Sequence, residues 1–280
     1  MKLYVLYFIL IILTACYLFF IPEYIKKTKE ICGLYNLNRI ELWEKVRKKR
    51  GEKIASEIFP TTYILPRDYE KAKKEGGNIM ILKNRWGSLR IGLKIIEKKD
   101  LEKYKNKYDM VQNYIVNPLT INGYKVSSRF FIVAYCGEGI FLYKNGYNYY
   151  ANNKYQVNKV DPKGQIVPVN NDTKHLIKNN LLKTTSEIRG IKKIVERLSE
   201  KVKIIVNSCD KLCCPHDKGK FNIYGMDVDL KDNMDPMVIE INSRPTIYTK
   251  SNYKNEIINK LKMNIKEKNF SDERLWIQIK

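Results

Sequence analysis

The chain lacks the cysteine spacing of a small stapled or metal-clipped domain. Its six cysteines are Cys16, Cys32 and Cys136, then Cys209, Cys213 and Cys214 in a short run that ends at His216. Adjacent cysteines in one loop, with no second pair elsewhere, miss the two-by-two spacing of a structural zinc module. Nor do the six read as a disulfide framework, and the expectation for Cys209, Cys213 and Cys214 is reduced thiols in a surface connection before the hairpin. No RNA-recognition, zinc-finger or helix-turn-helix signature is present, and no internal repeat. Acidic residues are scarce, with Asp+Glu 30 against Lys+Arg 52 and a net charge of +22. That surplus favours a polyanionic partner. Charge alone leaves nucleic acid, anionic membrane and acidic polypeptide open.

What is there begins with bulk. At 280 residues and 44% hydrophobic content, the chain can bury a substantial core as one large or two small domains. Leu3 to Ile21 is an apolar run of nineteen residues without a charge, long enough to span a bilayer as a helix. Pro22, Lys26, Lys27 and Lys29 follow, a more basic flank than Lys2 and the amino terminus offer. The positive-inside rule then places the bulk of the chain in the cytosol. A cleaved signal peptide is the competing reading, and Leu13-Thr14-Ala15-Cys16 resembles a lipoprotein cleavage box. The run continues five residues past Cys16, longer than a normal signal core. We therefore read residues 1–25 as an uncleaved single-pass anchor and 26–280 as the folded part.

Periodicity places the elements. Ile40 to Ser56 reads as a basic amphipathic helix, and Asp68 to Glu75 as a short helix capped by Asp68 and ended by Gly76-Gly77. Strands follow at Asn78–Lys83 and Arg90–Ile96, and Lys98–Lys107 is helical. Met110–Val116, Ser127–Cys136 and Gly139–Lys144 are strands, the last expected to end at the hairpin signal Asn145-Gly146. Residues 145–180 give no clean period and read as a long loop or lid. Ser186–Lys201 has helical spacing at Ile188, Ile191, Ile194, Val195 and Leu198, and Asn252–Ile265 is a terminal basic helix. Strands and helices with antiparallel hairpins argue an α+β fold.

The most informative stretch lies near the C-terminus. Phe221 to Leu230 and Pro236 to Ser243 alternate apolar and polar residues across a turn-rich link, which predicts an antiparallel hairpin. Side chains on a strand alternate faces, so Asp227 shares one with Asp229, and Glu240 shares one with Asn242. A hairpin of this length can set Asp227 opposite Glu240 and Asn242. Oxygen donors embedded in apolar strand are unfavourable unless a cation or hydrogen-bond donors meet them, and a hard ion such as Mg²⁺ takes such ligands. A solvated polar face is the other reading of the same residues.

Gly225-Met226-Asp227-Val228-Asp229, followed by Val238-Ile239-Glu240-Ile241-Asn242-Ser243-Arg244-Pro245, resembles the metal-binding hairpin of the tubulin–tyrosine ligase-like family, within the ATP-grasp superfamily. Phe59-Pro60-Thr61-Thr62-Tyr63-Ile64-Leu65-Pro66-Arg67-Asp68-Tyr69 resembles its entry segment. Ile81-Leu82-Lys83, with Arg90-Ile91-Gly92-Leu93, resembles its first nucleotide strand and phosphate loop. Val111 to Arg129 resembles the central block. The four blocks are collinear and cover residues 40–250. The resemblance implies an ATP-grasp-like α+β fold of antiparallel sheets with flanking helices. It implies an ATP-dependent carboxylate–amine ligase that joins an amino acid, glutamate being one candidate, to an acidic tail such as that of tubulin, through an acyl phosphate. By the same resemblance Lys83 would reach the nucleotide phosphates, and Gln112 and Ile115 would border the adenine. Lys125 and Arg129 would clamp the γ-phosphate and the acyl phosphate as catalytic groups. Asp227, Glu240 and Asn242 would hold Mg²⁺, with Asp227 also on the nucleotide side.

The departures are concentrated. Ser127 stands where the family carries an Asp two residues after its clamp lysine, an Asp that would receive the substrate amine. The expected Arg of the following strand falls at about Tyr149. Val167-Pro168-Val169-Asn170 retains only Asn of a His-Leu-Thr-Asn block, and Asn84 and Leu89-Arg90 alter the phosphate loop. Nucleotide and metal positions are kept while amino-acid positions are lost. Either the joined amino acid differs from tyrosine, glutamate and glycine, or ligation has decayed and the chain is an adaptor binding microtubules or another acidic partner.

Overall fold

A computed structural model describes residues 39–85, 92–157, 159–168, 173–209, 218–246 and 251–280. Two helices lead, α1 (Arg39–Arg50) and α2 (Glu52–Ile58), where the spacing predicts one. Gly51 splits them at φ 87°, a left-handed conformation that glycine adopts without steric penalty. Then come β1 (Thr62–Ile64), α3 (Tyr69–Glu75), β2 (Ile79–Lys83), β3 (Lys94–Glu97), a 3₁₀ turn (Lys98–Tyr104) and β4 (Met110–Asn113). Asp68 precedes α3 but does not cap it. Its Oδ2 accepts from the Ile64 N–H instead, tying the helix start back to β1.

The second half holds β5 (Thr120–Ile121), β6 (Tyr124–Tyr135), β7 (Gly139–Tyr150), α4 (Pro162–Gln165), α5 (Thr173–Lys178) and α6 (Ile191–Ser208). It ends with β8 (Phe221–Leu230), β9 (Pro236–Asn242), α7 (Asn252–Lys266) and β10 (Trp276–Gln278). The expected hairpin is β8–β9. β7 does not turn at Asn145-Gly146 but runs through it. The β6–β7 register shifts between Arg129 and Phe131, and a Cβ on Gly146 would lie 2.1 Å from the Arg129 carbonyl oxygen. The glycine marks a bulge where two backbones press together. α6 starts later than predicted because Gly190, left-handed at φ 80°, separates it from a 3₁₀ turn at Thr185–Glu187.

Two antiparallel sheets result, β1-β4-β2-β3 and β10-β7-β6-β8-β9, with β5 on β6. With flanking helices they make the α+β architecture that the sequence predicts. One face of the large sheet, through Phe130, Ile132, Met226 and Val228, packs against α1, α2 and α6. On the opposite face, Phe131, Val133 and Tyr143 pack against α7. Side chains of a strand alternate, so Lys125, Ser127 and Arg129 share the face of Phe131. The α7-covered face is thus apolar toward the Tyr135 end of β6 and polar toward the Lys125 end. That polar end meets the small sheet.

Among the described residues no helix is long and apolar enough to cross a membrane. The apolar run Leu3–Ile21, with Cys16 and Cys32, lies outside them, as do Arg90 of the phosphate loop, Asn170, Cys213, Cys214 and His216. The sequence puts Cys136 outside any disulfide framework and Cys209 in a surface connection, and the structure differs at both. Cys136 is disulfide-bonded, and Cys209 is buried against the α6 core.

Candidate active site

The polar ends of the two sheets enclose a cleft of about 690 Å³, part of it open to solvent. The small sheet contributes Ile81 and Lys83 from β2 and Gln112 and Asn113 from β4, with Tyr114 and Ile115 just beyond. The large sheet contributes Lys125, Ser127, Asp227, Asp229, Ile239 and Glu240. Apolar strand on either side fixes these polar residues in place, since neither sheet can rotate them away without exposing its core.

Four cations and three carboxylates meet here, and register decides the pairing. Arg129 lies opposite Asp227 across β6–β8 and holds it bidentately, Nε to Oδ1 at 2.6 Å and Nη2 to Oδ2 at 3.0 Å. Lys125 Nζ is 2.7 Å from Asp229 Oδ2, 3.3 Å from the Gln165 carbonyl oxygen and 4.8 Å from the Tyr114 ring centre. Ser127, opposite Asp229 in register, donates its hydroxyl to Asp229 Oδ1. Glu240 faces Asp227 across the hairpin, yet its Oε2 accepts from Arg39 Nε at 2.7 Å. Asn242 Nδ2 donates to Glu240 Oε1 at 3.1 Å.

Lys83 is the exception. It is buried and donates to the neutral Oε1 of Gln112, whose Nε2 donates in turn to Thr62 Oγ1 at 2.7 Å. Among the described residues no carboxylate makes an ion pair with it. Burial and the Arg39 charge push its pKa down to about 7. An ammonium with that environment gains from any anion that reaches it. Burial pushes Lys125 down as well, but Asp229 and Tyr114 together outweigh it and the lysine stays above its usual value. Glu240 is disfavoured as a carboxylate by burial, and Arg39, with help from Asn242 and Lys83, reverses that and holds it low.

Most residues singled out in the sequence therefore meet at one place. Lys83, Gln112, Ile115, Lys125, Asp227 and Glu240 border the cleft. Arg129 is bound to Asp227, and Asn242 stands beside Glu240, neither of them among the lining side chains. Among the described residues no three His, Cys, Asp or Glu side chains converge. The candidate ion ligands are two carboxylates and an amide, hard oxygen donors of the kind Mg²⁺ takes alongside substrate phosphates. By that chemistry the donor set fits the ion.

Other members of the site carry no local signal. Arg39 heads α1, at the margin of the expected helix, and only the folded chain brings it to Glu240. Asp229 was legible as a face-mate of Asp227, but its pairing with Lys125 depends on the β6–β8 register. Tyr149 occupies the position expected to be Arg, and Lys254 of α7 brings its ammonium 4.3 Å from the Tyr149 ring centre and 5.4 Å from that of Tyr147. A cation does stand there, supplied from another element.

Comparison with known proteins identifies a family. The sequence pattern of the Tubulin-tyrosine ligase family matches residues 22–267. The chain is 22% identical over 240 residues to the probable tubulin polyglutamylase ttll-9 of Caenorhabditis elegans, an alignment covering 74% of this chain and 57% of the relative. It is 25% identical over 260 residues to the probable tubulin polyglutamylase TTLL2 of Mus musculus, covering 77% of this chain and 45% of the relative. The chain spans about half the length of these curated relatives.

Proposed function

The chain belongs to the tubulin–tyrosine ligase family, and from that membership we propose that it is an ATP-dependent carboxylate–amine ligase of the ATP-grasp kind. Its acceptor would be an acidic polypeptide tail such as that of tubulin. Ser127 and Tyr149 argue against glutamate as the joined amino acid, but we favour it because the two relatives are named probable tubulin polyglutamylases. The observation that carries the reading is Lys83, a buried ammonium on a cleft wall with no carboxylate in ion-pair contact among the described residues. A nucleotide polyphosphate supplies the missing charge.

In the proposed reaction a carboxylate oxygen attacks the γ-phosphorus of ATP and ADP leaves. The amine then attacks the acyl carbon, phosphate leaves and the amine gives up a proton. Both steps concentrate negative charge, which fixed cations stabilise most effectively in a site shielded from water. Lys83 would bind the nucleotide phosphates from the small sheet. Lys125, kept charged by Asp229, would face them from the large sheet, with Arg129 anchored behind. Gln112 orients Lys83, and Ile115 with Tyr114 offers an apolar border for the base. Mg²⁺ held by Asp227, Glu240 and Asn242 would neutralise further phosphate charge.

The basic surface suits an acidic acceptor, since a net charge of +22 steers polyanions toward the chain. We also propose that Leu3–Ile21 anchors the protein in a membrane with the cleft on the cytosolic side, where ATP is available; the apolar run and its basic flank support this.

A second reading is a ligase-like adaptor without catalysis. It is favoured by the two arginine pairs, because Asp227 and Glu240 each already hold a cation of the protein. One experiment separates the two readings at the nucleotide step. Mg-ATP or a non-hydrolysable analogue should raise the thermal midpoint of the protein by preferential binding to the folded state. No shift at millimolar nucleotide removes the enzyme reading.

A further inference from the structure

Ser127 and Asp229 are cross-strand neighbours on β6 and β8. Both are buried, both border the cleft, and the serine hydroxyl donates to the aspartate. Directly paired residues on one face have Cβ atoms about 5 Å apart. A carboxylate moved from one to the other therefore stays on the same side of the sheet and in the same part of the cleft floor. Asp229 uses its Oδ2 to hold Lys125 Nζ at 2.7 Å. Lys125 is itself buried on β6, two residues from Ser127. A buried ammonium without a counter-charge is destabilising, and the Asp229 carboxylate removes most of that penalty at Lys125.

We infer that Asp229 is the positioning residue for Lys125, supplied from β8 in place of an acidic residue at position 127 of β6. Its role is to keep the ammonium charged and aimed into the cleft. The carboxylate missing from β6 has changed strands, so Ser127 records a relocation and not a loss of charge. The inference rests on the proposed nucleotide reading only for what Lys125 then binds. The anchoring itself is a property of the folded chain.

The test compares the full chain with Asp229→Ser, Ser127→Asp and the double exchange, measuring the thermal midpoint with and without Mg-ATP. Without nucleotide, Asp229→Ser should lower the midpoint by roughly 10 °C, since it leaves a buried cation unpaired. Ser127→Asp alone should also lower it, because two carboxylates then share one site. The double exchange should recover more than half of the loss. With nucleotide, Asp229→Ser should weaken apparent affinity at least about 10-fold, and the exchange should restore it to within about 3-fold of the parent. Should Asp229→Ser fail to fold, Asp229→Asn keeps the shape and removes the charge. A double exchange no better than Asp229→Ser overturns the inference even where the parent binds nucleotide. A parent that shows no nucleotide shift refutes the nucleotide reading, and the ligand-free midpoints still decide the anchor.

Discussion

Asp227 and Glu240 face each other in register across the β8–β9 hairpin, yet each is held by a different arginine. Arg129 reaches Asp227 from the adjacent strand, and Arg39 reaches Glu240 from the first helix. One hairpin thereby ties the large sheet to α1 at the edge of the cleft. At Glu240, burial disfavours the carboxylate, and the Arg39 charge with the Asn242 hydrogen bond holds it below the usual range. Arg39 has a second influence. Its charge is felt by Lys83, whose pKa it helps to lower.

Removing Arg39 should therefore act at two places. Arg39→Met should destabilise the fold by about 2 kcal/mol, because Glu240 keeps its burial and loses its principal cation. The same change should move the pKa of Lys83 back toward that of a free lysine. Denaturant unfolding at two pH values, in the parent and in this variant, checks both effects.

Lys83 predicts a pH dependence of stability with a definite sign. Below about pH 7 both the folded and the unfolded chain hold its proton, and the full burial penalty applies. Between about 7 and the ordinary lysine value near 10.4 only the unfolded chain holds it. The unfolded state then binds more protons, so this group makes stability rise with pH. Lys83→Met should flatten that rise, measured as unfolding free energy against pH from 6 to 10. Nucleotide affinity in the parent should fall over the same interval, as the ammonium that receives phosphate is lost.

Gly146 is predicted to be intolerant of any side chain. The 2.1 Å approach of a new Cβ to the Arg129 carbonyl oxygen forces the bulge apart and carries Arg129 with it. Gly146→Ala should lose about 3 kcal/mol or more of stability. A loss under 0.5 kcal/mol would mean that β6 and β7 are not pressed together there.

If Leu3–Ile21 is an anchor, the intact protein should sediment with membranes and resist extraction by salt and carbonate. Its C-terminus should be open to protease from the cytosolic side. Recovery as a soluble, N-terminally processed chain would contradict the anchor.

Much of this was readable from local pattern. The period-two alternation of Phe221–Leu230 and Pro236–Asn242 announces the hairpin, and helical spacing announces α6 and α7. Lys83, Gln112, Lys125, Asp227 and Glu240 were each marked by motif, and they border one cleft. What escaped depends on contacts between distant segments. Asn145-Gly146 is a turn signal by composition, and only the close approach of the Arg129 backbone makes it a bulge inside β7. Arg39 has no pattern to distinguish it from the other basic residues of α1. The meeting of Asp229 with Lys125, and of Lys254 with the Tyr149 ring, requires the strand register and the docking of α7. Neither is written in the spacing of nearby residues.

The central claim is that the cleft joins an amino acid to an acidic tail. The most direct measurement is mass spectrometry of tubulin and total protein after co-expression with the parent and with Glu240→Gln. That substitution removes one ligand charge and nearly keeps the side-chain shape. The account predicts mass additions on acidic tails with the parent and a fall by orders of magnitude with Glu240→Gln, while binding to a tail peptide, carried by dispersed surface charge, changes little. Identical tail masses with the parent, the variant and no added protein would contradict it and leave an adaptor.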